Sequence, residues 1–216
     1  MRVVEGNGEG AAEGVAAREL PLFPLQAVLF PGGLLGLKVF EARYLDLIAA
    51  CLREREPFGV VALRSGSEAG KQAAAVTFEA VGTLAELISA DSDQPGILQV
   101  RCRGSQRFRV ASSRCQPDGL WLARVVPLDD DATIAPGAAL LGTVRALATA
   151  IATLTAQGEA PFPSPSRFDD GGWVANRWCE ILPISRAAKQ QLMELPDPTV
   201  RLQLVDDFLR SKGLVS

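Results

Sequence analysis

The stretch LPLFPLQAVLFPGGLLGLKVFEARY, residues 20–44, decides how this chain folds. Its leucine, valine and phenylalanine side chains form two short apolar runs of the kind that build β-strands. Pro21 and Pro24 favour the edge or end of a sheet, because proline cannot donate a hydrogen bond to a strand ladder. The Pro-Gly-Gly sequence at 31–33 favours a tight turn, since glycine accepts a positive φ. This segment therefore predicts two strands joined through a turn, followed by the start of a helix.

The composition of the whole chain excludes several classes of function. The 216 residues are enough to bury a core, and they include no histidine and carry a formal net charge of −3. Without an imidazole, Ser-His-Asp, Cys-His and histidine–metal sites are excluded. The four cysteines are far apart and form no C-x-x-C pair, which predicts buried or partly buried free thiols. We expect a protein without metal or cofactor.

The ends and the hydropathy of the chain bear on its location. No uninterrupted apolar run approaches the roughly 18 residues that span a bilayer, and the N-terminus lacks the basic start and apolar core of a secretory signal. We expect a cytoplasmic protein that does not enter a membrane. Residues 1–17 are rich in glycine, alanine and glutamate and predict a disordered or weakly ordered leader.

Strand signals dominate residues 18–130, and helix signals dominate residues 131–216, with an acidic linker at 129–131 between them. The first part predicts one inserted helix at 41–55 and strands at 34–40, 58–63, 81–89, 97–103, 106–112 and 120–128. The second part predicts three to four helices, at 138–157, 172–182, from an N-cap at Ser185 to 195, and from an N-cap at Asp197 onward. The expected class is α+β, with a barrel-like first part and a helical second part.

Two runs near the middle of the chain predict a β-hairpin with a cationic face. Apolar residues of 97–103 and 106–112 occupy even positions, so an odd-length loop at 104–106 would keep them on one face. The opposite face would then carry four arginines, Arg101, Arg103, Arg107 and Arg109. Such a face is either an ordinary solvated surface or a strip that binds acidic peptide or nucleic acid.

A cluster of large side chains in the helical part is a second candidate site. Phe162 and Phe168 lie in a proline-rich loop just before Trp173 and Arg177. Aromatic and arginine side chains are enriched at binding sites because they bury a large area at low entropic cost. These four residues either bind peptide or pack the helices against the strands.

Several motifs together resemble the N-terminal, substrate-binding domain of the Lon protease family. The opening segment matches the start of that domain, FGVVAL, VGTLAELI and VRCRGSQRFRV match its later strands, and ANRWCEILPIS and KQQLMELPDPTVRLQLV match its helices. The resemblance runs from Leu20 to Lys212. It implies a PUA-like β-barrel followed by a helical bundle.

The resemblance also implies a function. In full-length family members this domain precedes an ATPase module and a serine-lysine protease module, and it helps to recruit damaged or tagged proteins. Neither module is recognisable here, and the phosphate-loop lookalike at 65–72 has the wrong spacing. We therefore expect a stand-alone, non-enzymatic module that binds unfolded or tagged polypeptides, as an adaptor or competitor of a protease or chaperone machine. RNA binding through the arginine face is the alternative, and an oligomer is left open.

Overall fold

The computed structural model describes residues 17–66 and 76–215. The leader expected at 1–17 lies outside the described residues except for Ala17, and so does most of the turn at 65–72. Strands occupy the chain as far as Pro127 and helices follow from Ala138. The predicted α+β class is confirmed.

Within the described residues, six strands form one mixed sheet that closes on itself. They are β1 (Arg18–Leu25), β2 (Leu34–Val39), β3 (Phe58–Ser65), β4 (Thr77–Gln94), β5 (Ile97–Cys115) and β6 (Trp121–Pro127), and helix α1 (Ala42–Glu54) connects β2 to β3. Their order is β2-β5-β4-β3-β1-β6, and β6 also pairs with β5. Five strands therefore close into a ring, the barrel, with β2 paired to the first part of β5. Strands β1 and β3 are parallel, and the other pairs are antiparallel.

The prolines of β1 lie in a central strand and not at an edge of the sheet. Pro21 pairs with Leu122 of β6, whereas Pro24 pairs with Val61 of β3. Only Leu22 has a partner on both sides. Each proline therefore borders one side without a neighbouring strand, which is the condition that proline needs inside a sheet.

The predicted hairpin at 97–103 and 106–112 is wrong, because both runs belong to the single strand β5. The chain does not turn at Gly104. Instead, Gly104 N donates to the carbonyl of Gly33, and Gly104 O accepts from Gly32 N, both at 2.8 Å. The backbone of Gly104 thus binds the Pro-Gly-Gly turn through two hydrogen bonds. This role depends on residues some 70 positions earlier in the chain.

Four α-helices follow the barrel, within the three to four predicted. They are α2 (Leu141–Ala156, preceded by a 3-10 turn at Ala138–Leu140), α3 (Gly171–Ile181), α4 (Arg186–Glu194) and α5 (Pro198–Ser211). Ser185 caps α4 by accepting from Ala188 N, and Asp197 caps α5, so both capping predictions are confirmed. Helix α3 is buried along nearly its whole length and forms the centre of the helical part.

The helical core extends into the barrel through Phe30. This residue is fully buried and packs in the same cluster as Trp178 and Leu209 of the helices. A second cluster joins α1 to β1, β2 and β5, and a third fills the barrel around Leu22 and Phe108. The segment that identifies the fold therefore also connects its two parts.

The helical stretch Ala138–Ala156 is apolar enough to resemble a membrane span. An 18-residue window within these 19 residues has a mean hydropathy of 1.5, and 22% of that window is buried. Glycine, threonine and arginine interrupt the apolar residues of this stretch, so the length of its apolar runs does not predict this property from the sequence. A single helix of this kind is weak support for a membrane location, because core helices of soluble proteins pass the same test.

Candidate peptide-binding clefts

Two cavities lie at the junction of the barrel and the helices, one on each side of the turn Phe30–Gly33. Pro31 and Gly32 line a polar cleft of about 650 Å³. Leu34 and Leu35, just beyond the turn, line an apolar cleft of about 520 Å³. The turn therefore lines the polar cleft directly, and the residues on either side of it in the chain line the apolar cleft.

The sequence of the turn explains its conformation. Gly33 N donates to the carbonyl of Phe30 at 2.9 Å, and Gly32 has a φ of 75°. Proline before a glycine with positive φ is the pattern of a type II turn. The backbone exchange with Gly104 then holds the turn against β5.

Helix α3 holds the turn from the other side through a buried ion pair. Arg177 is fully buried and donates from Nη2 to the carbonyl of Pro31 and to Oε1 of Glu180, both at 2.8 Å. The Glu180 carboxylate lies where a side chain at Gly33 would have to go. Burial lowers the pKa of Arg177, and it raises the pKa of Glu180 to about 8 against the opposing effect of Arg177 and Lys189.

The four residues predicted as a peptide site come together next to this ion pair. Phe162 and Phe168 contact Trp173 edge-on, with ring centroids 6.5 and 5.5 Å apart. The guanidinium of Arg177 lies 5.5 Å from the ring centre of Phe162 and 5.8 Å from that of Trp173. These cation–π contacts partly compensate Nε and Nη1 of Arg177, which have no acceptor among the described residues.

The four residues differ in what they offer to a ligand. Trp173 is 8% exposed and Arg177 is fully buried, so both pack beneath Phe162 and offer little surface to a ligand. Phe168 is half-buried against Trp173. Phe162 is also half-buried, but it lines the apolar cleft directly. Of the predicted set, Phe162 is the residue placed to touch a ligand in that cleft.

The apolar cleft is lined from both parts of the fold. The barrel side contributes Ala27, Val28, Leu29, Leu34 and Leu35, and the helical side contributes Pro161, Phe162, Ile181 and Ile184. Four polar residues complete the lining, namely Gln26, Glu180, Arg186 and Lys189. Apolar walls with a few polar groups are the usual composition of a binding site. The helical spacing of Arg177 and Glu180 could have identified Glu180 from the sequence, whereas the cleft positions of Arg186 and Lys189 depend on tertiary packing.

The polar cleft has a charged floor whose groups are satisfied within the protein. Asp131 pairs with Arg107 at 2.9 Å and with Arg201 at 2.5 Å. Arg107 also donates to the carbonyl of Met193, and Arg201 to that of Leu192. These carbonyls belong to the last turn of α4, where the helix itself leaves carbonyl groups short of donors, and that of Leu192 also accepts from Leu195 N at 3.3 Å. The two arginines therefore cap α4 and join β5 to α5, which indicates a structural role for this floor.

The burial of Arg107 corrects the predicted arginine face. Arg101, Arg103 and Arg109 are exposed, but Arg107 is 4% exposed because α4 and the linker cover β5 at that point. The alternation of apolar and charged residues along one strand predicts which side chains share a face. It does not show which other elements pack on that face. The other three arginines remain a prediction, and Arg103 also borders the polar cleft. The described residues contain no group of three or more potential metal ligands.

Comparison with known proteins gives one consistent result. Residues 19–211 match the family model of the ATP-dependent protease La (LON) substrate-binding domain. The crystal structure of a Lon N-terminal domain protein from Xanthomonas campestris is 32% identical with a TM-score of 0.69, and the match covers 87% of this chain and 96% of that one. The N-terminal domain of the Mycobacterium avium complex Lon protease shares the fold at 15% identity and a TM-score of 0.59, with 88% of this chain and 97% of that chain covered.

Curated relatives are longer than this chain. The Lon protease of Anaeromyxobacter dehalogenans is 26% identical over 199 residues, which are 89% of this chain and 23% of that protein. Protein cereblon of Xenopus tropicalis is 26% identical over 125 residues, which are 56% of this chain and 26% of that protein. The chain thus spans about a quarter of the length of each of these relatives.

Proposed function

Because the chain belongs to the family of Lon substrate-binding domains, we propose that it binds unfolded or tagged polypeptide segments in the apolar cleft beside the Phe30–Gly33 turn. The observation that carries this proposal is the lining of that cleft, where apolar side chains from the barrel and the helices face a space of about 520 Å³. An extended segment with exposed apolar side chains would bury them there and gain hydrophobic free energy. The family match is to a non-catalytic domain, and the function proposed here is binding without chemistry.

The contacts that hold the cleft walls support the same proposal. The turn is bonded to Gly104 on the barrel side and to Arg177 on the helical side. Both walls are therefore fixed relative to each other before a ligand arrives. A preformed site binds more tightly because less conformational entropy is lost on association.

Fluorescence anisotropy with labelled peptides from an unfolded model protein tests the proposal. Phe162→Ala should weaken binding by about tenfold, the scale of an aromatic anchor at an interface. Phe40→Ala is the matched control, because Phe40 is 57% exposed and does not line the cleft. Ala27→Gln, at an exposed position of the rim, narrows the cleft without removing a packed ring. Unchanged affinity in both Phe162→Ala and Ala27→Gln, or no saturable binding by the unaltered protein, would refute the proposal.

Such binding suits a role beside a protease. The protein would either deliver a bound polypeptide to a Lon-type protease or withhold it, and these roles predict opposite effects. Delivery accelerates degradation of an unfolded reporter by purified Lon protease as this protein is added, whereas competition slows it. Phe162→Ala should shift either effect to about tenfold higher protein concentration, and a rate that stays constant throughout the titration of the unaltered protein excludes both.

Nucleic-acid binding is the competing interpretation, and the burial of Arg107 removes one of the four cations on which it depended. Labelled RNA in the same anisotropy assay separates the two. Affinity that falls steeply with salt and is weakened by Arg101→Glu or Arg109→Glu would favour RNA over peptide.

A further inference from the structure

The apolar cleft carries two cations at the beginning of α4. Arg186 is the first residue of that helix, Lys189 follows one turn later, and both line the cleft. The first turn of α4 contains no acidic residue. Because the N-terminus of a helix is the positive end of its dipole, this arrangement is unfavourable for the isolated helix. An anion bound near these residues would offset that cost.

Neither cation is neutralised within the described residues. Arg186 donates from Nη1 to the side-chain oxygen of Gln26 at 3.1 Å, and Lys189 donates from Nζ to the backbone carbonyl of Glu180 at 2.8 Å. Both acceptors are neutral. Among residues 17–66 and 76–215, no carboxylate makes an ion pair with either side chain.

The one carboxylate in the lining of the cleft is already engaged. Glu180 accepts from Arg177 at 2.8 Å, and the pair lies against Gly33. Because Glu180 is bonded to Arg177, Arg186 and Lys189 remain as the two cations of the lining that make no ion pair with it. An uncharged apolar peptide would leave these two cations without a counter-charge.

We propose that the cleft binds an extended apolar segment that carries an aspartate or glutamate side chain, with the carboxylate between Arg186 and Lys189. This rests on the proposed function and adds the class of segment that the same site selects. The cleft is open to the surface, so an extended segment has room to enter it without a chain end. The carboxylate is therefore a side chain within the segment and not a chain terminus.

Two labelled peptides that differ in one residue test this inference. Both contain the same apolar run with an amidated C-terminus, and one carries glutamate where the other carries glutamine. The unaltered protein should bind the glutamate peptide about two- to fivefold more tightly, the upper range of exposed ion pairs. The double variant Arg186→Gln with Lys189→Gln should lose this preference and keep its affinity for the glutamine peptide. Arg124→Gln, an exposed arginine on β6, is the control and should keep the preference.

The possible results separate the two levels of the argument. Equal affinity of the unaltered protein for both peptides, or a preference that survives in the double variant, overturns the inference but leaves polypeptide binding intact. Failure of the unaltered protein to bind either peptide removes the proposed function itself. A third peptide, with glutamine in the chain and a free C-terminal carboxylate, identifies the source of the charge. If it binds as tightly as the glutamate peptide and loses this advantage in the double variant, the site recognises a chain terminus and the side-chain assignment is wrong.

Discussion

Replacing Asp131 by asparagine should destabilise the protein far more than the same change at Asp130. Asp131 pairs with Arg107 and Arg201, whose side chains are 4% and 1% exposed. Breaking a buried ion pair costs about 3–5 kcal/mol, because a charge is left without compensation. Both arginines keep carbonyl acceptors at the end of α4, and the asparagine keeps one oxygen, so we expect the lower value of about 3 kcal/mol. Asp130 is exposed and makes no ion pair with any residue that the structure describes, so Asp130→Asn should cost less than about 0.5 kcal/mol.

Urea unfolding measures this difference directly. Tryptophan fluorescence reports on both parts of the fold, since Trp121 lies in β6 and Trp173 and Trp178 lie in α3. Far-UV circular dichroism follows mainly the helices. A loss of about 3 kcal/mol is a large share of the roughly 5–15 kcal/mol that stabilises a typical domain. A loss below about 1 kcal/mol, or one equal to that of Asp130→Asn, would show that the carbonyls alone hold the two arginines and that our account of this junction is wrong.

Three further predictions concern single side chains. Gly104→Ala should destabilise the protein by several kcal/mol in the same urea assay, because the new Cβ would overlap the carbonyl of Phe30. Gly36→Ala is the control and should be nearly neutral, because a Cβ at Gly36 would meet no atom within 4 Å. Burial raises the pKa of Glu180 from 4.5 to about 8, so the folded state holds a proton that the unfolded chain has lost, and the free energy of unfolding should fall as pH rises between these values. Glu180→Gln should flatten that fall, and an unchanged pH profile would contradict the assignment. One thiol per native chain should react with Ellman's reagent and disappear in Cys115→Ser, because the other three cysteines are buried with pKa values raised to about 11 or 12.

Local signals allowed much of the fold to be predicted from the sequence. Ser185 and Asp197 cap their helices as expected, because a cap depends only on the next three residues. The turn at 31–33 likewise follows from proline and glycine preferences. The prediction from sequence was wrong where contacts with distant residues determine the conformation. Gly104 lies inside β5 and binds the turn at 31–33, and it does not form a turn itself. Cys115, expected to be at least partly buried, is exposed near the end of β5 for the same reason.

In the candidate site too, features set by neighbouring residues could be predicted and features set by distant residues could not. Phe162 and its aromatic neighbours are close in sequence, so their clustering was foreseeable. The contribution of Leu34 and Leu35 to the cleft was not foreseeable, because the pairing of β2 with β5 in the sheet brings them there. The burial of Arg107 under α4 depends on packing between the two parts of the fold, which a single strand pattern does not contain.

The closure of the barrel has a consequence for how the chain is made. Arg18, at the start of β1, pairs with Val125 in β6. The β1–β6 pairing therefore forms only after β6 has been synthesised. Contacts between such distant residues carry a large loop-closure entropy and slow folding. Until β6 emerges from the ribosome, β1 and β5 each present an unpaired edge of backbone donors and acceptors to which other chains can add. Synthesis that stops before Trp121 should therefore release an aggregation-prone fragment, and completion of β6 is the step that protects the nascent protein.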